Sequence, residues 1–379
     1  MKIEQILTFG LRGRTPEGGW ANELQPDDCV HTLIAIRTNE GLTGWGSVFT
    51  SEDLVRASLA VLQPLLTGES ALEPERVSEK LHQHTFWLGR GGAITHTISG
   101  IDLALWDLLG KATGQPVGRL LGGRYRDRVR PYASLLMREP QQMSDILLAT
   151  KAQGFRAFKI GWGPFGRKSY QLDEAIVRAA RQAIGSDCQL MVDAGGSDAY
   201  WQGNYKWALR TAEMLADYQV AWFEEPLAPD ALEDYVALRR HARLPVAGGE
   251  VLTRRQAFSP WLRAGAWDIV QPDVTKCGGL SEQRRIAWMA LESGIRFIPH
   301  GWNTCIGLAS DLQIASAFPD TDLVEYLTGA PFIDELVTKP WQLDSDGMLA
   351  IPDRPGLGVE INLEALAKFS NRETGGLAP

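Results

Sequence analysis

What the chain lacks narrows it first. Among 379 residues there are four cysteines, Cys29, Cys188, Cys277 and Cys305, and no C-x-x-C pair. That excludes a zinc knuckle and a disulfide framework and points to reduced thiols in a cytoplasmic setting. No apolar run reaches the roughly 18 residues that a membrane-spanning helix needs, and the opening "MKIEQILTFG" has no apolar signal core. A basic surplus is missing too. The net charge is -8, which argues against nucleic acid, whose phosphates require a basic face. A small anionic substrate stays open, because a local cation can reverse the sign inside a pocket. These absences predict a soluble cytoplasmic protein that works on a small molecule.

What is present falls into two textures. "MKIEQILTFGL" and "VHTLIAIRTNEGLTGWGSV" read as antiparallel strands with a hairpin turn at "NEGL". Residues 51–92 carry helical periodicity, and "HTISGIDLALWDLLGKATG" reads as an amphipathic helix closed by glycine. Strands followed by helices predict an α+β domain over residues 1–125. From about residue 130 short apolar runs recur, starting near 131, 157, 189, 221, 244, 268, 296 and 323, with helical stretches between most of them. Eight runs at this spacing predict a barrel over residues 126–345; a doubly wound sheet is the alternative that strand number leaves open. The Gly/Pro-rich "DGMLAIPDRPGLGVEIN" suits no barrel unit, so residues 346–379 are expected to return to the first domain. The fold class expected is α/β: a modified TIM barrel, (β/α)7β, with an α+β cap built from the N-terminal part and the tail.

In a barrel, chemistry gathers at the C-terminal ends of the strands. Those ends carry Lys159, Asp193, Glu224 with Glu225, Glu250, Asp273, His300 and Glu325. Charges at the ends of apolar runs are costly unless paired or bound to a metal. A salt bridge explains any one of them; it does not explain the whole row. Asp193, Glu224 and Glu250 come from three successive strands, and three carboxylates suit a hard cation, Mg²⁺ above all. The next two strands bring Asp273 and His300, an acid that fixes the tautomer and raises the basicity of an imidazole, as a general base requires. A cation on a substrate carboxylate acidifies the α-proton and stabilises the enediolate left when a base removes it.

These residues sit in motifs that, taken together, resemble a known family. "SGIDLALWDLLGKATGQPVGRLLGG", "MVDA", "WFEEPL", "GGE", "QPDVTKCGG", "IPHGWNT" and "PDRPGLGVEIN" resemble the enolase superfamily in its mandelate-racemase-like branch, many of whose members are acid-sugar dehydratases. The resemblance implies the same three Mg²⁺ ligands, the same base and orienting acid, and a hydrogen bond from Glu325 to the substrate carboxylate. It also implies a homo-oligomer, often an octamer. Loops at residues 14–24 and 47–53 would cover the mouth, with Trp20, Glu23, Lys159 and Asn303 as candidate substrate contacts.

Two departures from the family pattern matter. Its second barrel strand usually ends K-x-K, where this chain has Lys159-Ile160-Gly161, so glycine stands in the place of a second base. Its third strand usually continues D-x-N, where this chain has Asp193-Ala194-Gly195. A one-base site argues against racemisation and for dehydration: His300 takes the α-proton of a sugar acid (aldonate or aldarate) and, as imidazolium, helps the β-hydroxyl leave, giving a 2-keto-3-deoxy acid. Cycloisomerisation of a sugar-acid lactone or anhydro sugar acid would use the same residues. Epimerisation with Lys159 as second base, a Schiff-base enzyme built on Lys159, and a non-catalytic sugar-acid binder are further alternatives. Gly161, Gly163 and Gly166 match G-x-G-x-x-G, but they follow the barrel's second strand instead of opening a βαβ unit, so no dinucleotide site is expected.

Overall fold

Residues 1–13, 30–198 and 201–370 are described by the computed structural model. Ile3–Leu11 (β1), His31–Thr38 (β2) and Thr43–Val48 (β3) form an antiparallel sheet in that order. Helices Glu52–Leu66 (α1), Pro74–His84 (α2) and Gly92–Thr113 (α3) pack on it. Their apolar faces join Ile34, Ile36 and Val48 of the sheet to Leu62, Leu81, Ile98 and Leu105. The helix α3 stops at Gly114, whose left-handed backbone lets its amide bond back to the last turn.

Most of α3 is buried because it has neighbours on both sides. Asp102 accepts a hydrogen bond from the Ser281 amide at 3.0 Å and another from the Ser281 hydroxyl, to which Trp106 also donates. Asp107 accepts from the amides of Trp45, at 3.0 Å, and Leu357, at 2.9 Å. One helix therefore ties the cap sheet, a barrel helix and the tail together.

Among the described residues the barrel has eight parallel strands: Arg128–Leu136 (β4), Ala157–Gly161 (β5), Gln189–Asp193 (β6), Phe223–Glu224 (β7), Val246–Gly248 (β8), Ile269–Val270 (β9), Arg296–Phe297 (β10) and Leu323–Leu327 (β11). A helix lies in each of the seven connections, from Pro140–Ala152 after β4 to Cys305–Ser316 after β10. Strand pairing runs β10-β9-β8-β7-β6-β5-β4-β11. The ring closes where the Thr321 hydroxyl donates to the Phe297 carbonyl at 3.0 Å and the Gly301 amide donates to Glu325 at 2.7 Å. This is the (β/α)7β arrangement expected from the spacing of apolar runs.

Strand side chains alternate between faces, and that alternation builds the interior in layers. Tyr132, Ala157, Met191, Trp222, Ala247, Ile269, Ile298 and Leu323 meet as an apolar floor, with the Tyr132 and Trp222 rings nearly perpendicular at 5.5 Å. Two residues further along the same strands and their extensions come Ser134, Lys159, Asp193, Glu224, Gln271, His300 and Glu325. Polar chemistry thus begins one layer above a sealed floor.

The tail first adds Leu349–Ala350 (β12) antiparallel to β4. It then bonds Gly356 to Val117 and Gln115, and its helix Leu363–Ser370 bonds to the chain beside β1 through Arg12 and Phe369. Cys188, Cys277 and Cys305 are free and buried, and Cys29 lies outside the described residues. No helix among the described residues is long and apolar enough to cross a membrane.

Burial pushes the Asp102 carboxyl up to about 8, against the pull of the Ser281 hydrogen bonds. The folded chain therefore keeps a proton there that an unfolded chain releases near pH ~4. The stabilisation this gives is complete below that pH and is lost as pH rises through about 8. By urea unfolding, Asp102→Asn should gain stability relative to wild type as pH is raised from about 5 to about 8. A difference that stays constant over this range would refute the assignment.

Candidate active site

Asp193 closes β6, Glu224 closes β7, and Glu250 lies just past β8. Each is buried and offers an oxygen within 4.8 Å of the others. Glu224 is held on both oxygens: Lys159 Nζ lies 2.5 Å from Oε1, and Trp222 Nε1 and Gln271 Nε2 each donate to Oε2 at 2.9 Å. Asp193 accepts the Gly195 amide on Oδ1 at 2.7 Å and the Trp162 indole N–H on Oδ2 at 3.2 Å. The neighbouring Glu225 leaves the strand direction with φ 42 and accepts the Ser197 hydroxyl at 2.7 Å. Only the first of the two consecutive glutamates joins the trio.

Asp273 and His300 extend β9 and β10 and are joined by a single parallel bridge. His300 Nδ1 is 2.7 Å from Asp273 Oδ2, while Asp273 Oδ1 accepts the Thr275 amide at 2.7 Å and hydroxyl at 2.6 Å. The turn fixes the aspartate, and the aspartate fixes the ring. His300 Nε2 lies 2.9 Å from Glu250 Oε2 and 3.9 Å from Glu325 Oε2. Burial pulls the imidazole pKa down, but Glu250 and then Glu325 carry it well above the ordinary value.

Lys159 and Glu325 complete the layer. Lys159 Nζ is 2.9 Å from Glu325 Oε1 and 3.9 Å from Asp193 Oδ2, besides its contact with Glu224. Burial lowers its pKa, yet Glu224 and Glu325 together raise it well above the usual lysine range, so it is an ammonium. Glu325 accepts the Gly301 amide at 2.7 Å and the Tyr132 hydroxyl at 3.3 Å. Burial raises its pKa but Lys159 and His300 outweigh that, leaving it below the carboxylate norm. Lys276 Nζ sits 3.7 Å from Glu250 and 3.8 Å from Asp273, over the Phe49 ring at 4.3 Å.

The charge count in this cluster is lopsided. Six buried carboxylates (Asp193, Glu224, Glu225, Glu250, Asp273 and Glu325) face Lys159, Lys276 and His300. Counted with all six ionised and the imidazole charged, six negative less three positive leaves three uncompensated. Burial and then the Glu224 charge push Asp193 well above the normal carboxylate range, as expected of acids crowded without enough countercharge. Three oxygen donors and surplus negative charge fit a hard divalent cation such as Mg²⁺.

The structure brings Lys159, Asp193, Glu224, Glu250, Asp273, His300 and Glu325 together, and a pocket lined in part by Ser134, Lys159, Gly161, Trp162, Asp193, Glu250, Lys276, His300 and Trp302 opens on them. Asn303 is the exception. It is fully buried beside Asp311, and a Cβ at Gly307 would come within 2.2 Å of its side chain. The turn into helix Cys305–Ser316 carries it away from the pocket expected for it. Trp20 and Glu23 lie outside the described residues. The 47–53 loop does reach the site, through Phe49 under Lys276.

Sequence reasoning missed Trp162, Lys276 and Trp302 as lining residues. Lys276 had a usable signal, being three residues past Asp273 in "QPDVTKCGG". Gly161, the glycine that stands in the place of a second base, is tightly packed. It pairs with Asp193 across the sheet, and a Cβ there would lie 2.7 Å from the Asp193 Cβ. The space is already taken.

Comparison with known proteins gives matches over most of the chain. A family model described as "Enolase C-terminal domain-like" matches residues 143–366, and one described as "Mandelate racemase / muconate lactonizing enzyme, N-terminal domain" matches residues 27–122. The D-galactarolactone cycloisomerase of Agrobacterium fabrum is 34% identical, over 97% of this chain and 99% of that protein. The D-galactonate dehydratase of Verminephrobacter eiseniae is also 34% identical, over 98% and 95%. Among solved structures, the 3,6-anhydro-D-galactonate cycloisomerase from Zobellia galactanivorans aligns with a TM-score of 0.88 and 28% identity, covering 98% of this chain and 100% of that one.

Because the methyl group of Gly161→Ala would press on Asp193, this substitution should cost about 1–3 kcal/mol of stability in urea unfolding, the usual cost of overpacking. An unchanged midpoint would show that Asp193 moves aside freely.

Proposed function

Since the chain belongs to the enolase superfamily, in its mandelate-racemase-like branch, we propose that it is a divalent-cation-dependent lyase or isomerase acting on sugar acids. The observation that carries this reading is a single Asp273–His300 pair facing three buried carboxylates, with Gly161 where a base on the other face would stand. Asp193, Glu224 and Glu250 would hold Mg²⁺, whose Lewis acidity makes the proton α to a chelated carboxylate easier to remove.

His300 removes that proton with Nε2. To do so it exchanges the Glu250 carboxylate, 2.9 Å away, for the α-carbon of the substrate. Glu250 and Glu325 favour a protonated ring, so His300 must first give up its Nε2 proton as it parts from Glu250. Asp273 on Nδ1 then keeps the tautomer with Nε2 free and steadies the imidazolium once the substrate proton has arrived. The same nitrogen returns the proton to the β-oxygen as it leaves. Lys159, held as an ammonium by Glu224 and Glu325, supplies fixed positive charge and is a poor base. Glu325 is ionised as it stands, so its hydrogen bond to a substrate carboxylate requires that it gain a proton when substrate binds.

The first reading is dehydration to a 2-keto-3-deoxy acid. A second is cycloisomerisation, in which a ring oxygen takes the place of hydroxide; the two cycloisomerases among the similar proteins favour it. Family membership also brings the expectation of a homo-oligomer in the cytoplasm.

NMR and mass analysis of products from a panel of aldonates, aldarates and their lactones, with Mg²⁺ present, separates the two readings. Dehydration yields a 2-keto acid one water lighter, and cycloisomerisation an isomer of unchanged mass. Chelation should abolish turnover and added Mg²⁺ restore it. His300→Asn should lower turnover by about 10²–10⁴-fold, the range for a general base. Full activity in that variant, or in the chelated protein, would overturn the mechanism.

A further inference from the structure

Trp162 is the first residue past β5, and it has a backbone that bulky residues rarely adopt, φ 59. Such strain persists where surrounding contacts over-determine it, often at functional sites. Here the contacts are specific. The Trp162 amide donates to the Asp193 carbonyl at 3.1 Å, and its indole N–H donates to Asp193 Oδ2 at 3.2 Å. One residue grips both the main chain and the side chain of Asp193.

The rest of the loop holds the indole in place. A Cβ at Gly195 would lie 2.6 Å from the ring, so only glycine lets the indole sit there. Arg167 lies over the indole with its guanidinium 5.9 Å from the ring centre. It donates to the carbonyls of Ala194 at 3.2 Å and Gly195 at 3.3 Å and pairs with Asp198 at 2.9 Å. The two departures from the family pattern therefore belong to one arrangement: Gly161 leaves space for Asp193, and Gly195 leaves space for Trp162.

We infer that Trp162 is a positioning residue for Asp193, clamping the carboxylate against the Gly195 amide and aiming its remaining lone pairs at a divalent cation shared with Glu224 and Glu250; this rests on the cation site proposed above. Each Asp193 oxygen accepts one N–H, which stops the carboxylate rotating while leaving acceptor capacity on both oxygens. Hydrogen-bonded neighbours of this kind typically change metal affinity about 10–100-fold when removed.

The test is Mn²⁺ binding to the metal-stripped protein, followed by electron paramagnetic resonance. Trp162→Phe keeps an aromatic ring and removes the N–H. It should weaken Mn²⁺ binding about 10-fold, leave the metal-free melting temperature unchanged, and recover most of its turnover at saturating Mg²⁺. Gly195→Ala, which drives the indole away, should weaken Mn²⁺ binding in the same direction. Wild-type Mn²⁺ affinity in Trp162→Phe would overturn the inference, as would a lower metal-free melting temperature with affinity intact, the mark of a purely structural role. If wild type itself binds no Mn²⁺, the cation site falls first and takes this inference with it.

Discussion

Six carboxylates buried together at the mouth of the barrel must be neutralised, and much of the local architecture follows from that requirement. Lys159 runs up the interior to meet Glu224 and Glu325, and Lys276 reaches back to Glu250 and Asp273. Neutral N–H donors take up further acceptor positions: Trp222 and Gln271 on Glu224, Gly301 on Glu325, Gly195 and Trp162 on Asp193. Burying charge is costly unless it is paired and hydrogen-bonded. This site does both and still keeps a formal negative surplus, which a cation would relieve.

The scaffold supplies the geometry at little expense in sequence complexity. A strand repeats its facing direction every second residue, so an apolar residue on the floor determines which later residue points into the site. Met191 sets up Asp193, Trp222 sets up Glu224, Ile298 sets up His300 and Leu323 sets up Glu325. The floor residues also exclude water from beneath the cluster. That lowers the local dielectric and strengthens every interaction in the layer above.

This periodicity is why so much was legible beforehand. Eight apolar runs, the second to the eighth ending on an ionisable residue, announced both the barrel and the layer of chemistry, and Asp193, Glu224, Glu250, Asp273, His300 and Glu325 were read from those ends. The alternation fails where the backbone leaves the strand. Trp162 and Glu225 adopt left-handed conformations, and no repeat in the sequence tells where such residues point. Asn303 lies in a turn feeding a helix, so its nearness to His300 in sequence did not carry it into the pocket. Gly161 was legible as a missing side chain, but only the packing of Asp193 against it showed that the gap was filled.

The apolar floor also governs traffic. With Tyr132, Met191, Trp222 and their neighbours packed across the interior, the chamber is closed at its floor among the described residues and opens at the mouth of the barrel. Substrate, product and any expelled water would share that mouth, lined in part by Lys276 and Trp302. Turnover would then be a queue, in which a molecule follows only once its predecessor has backed out. The residues bordering that mouth would act on departure as much as on admission.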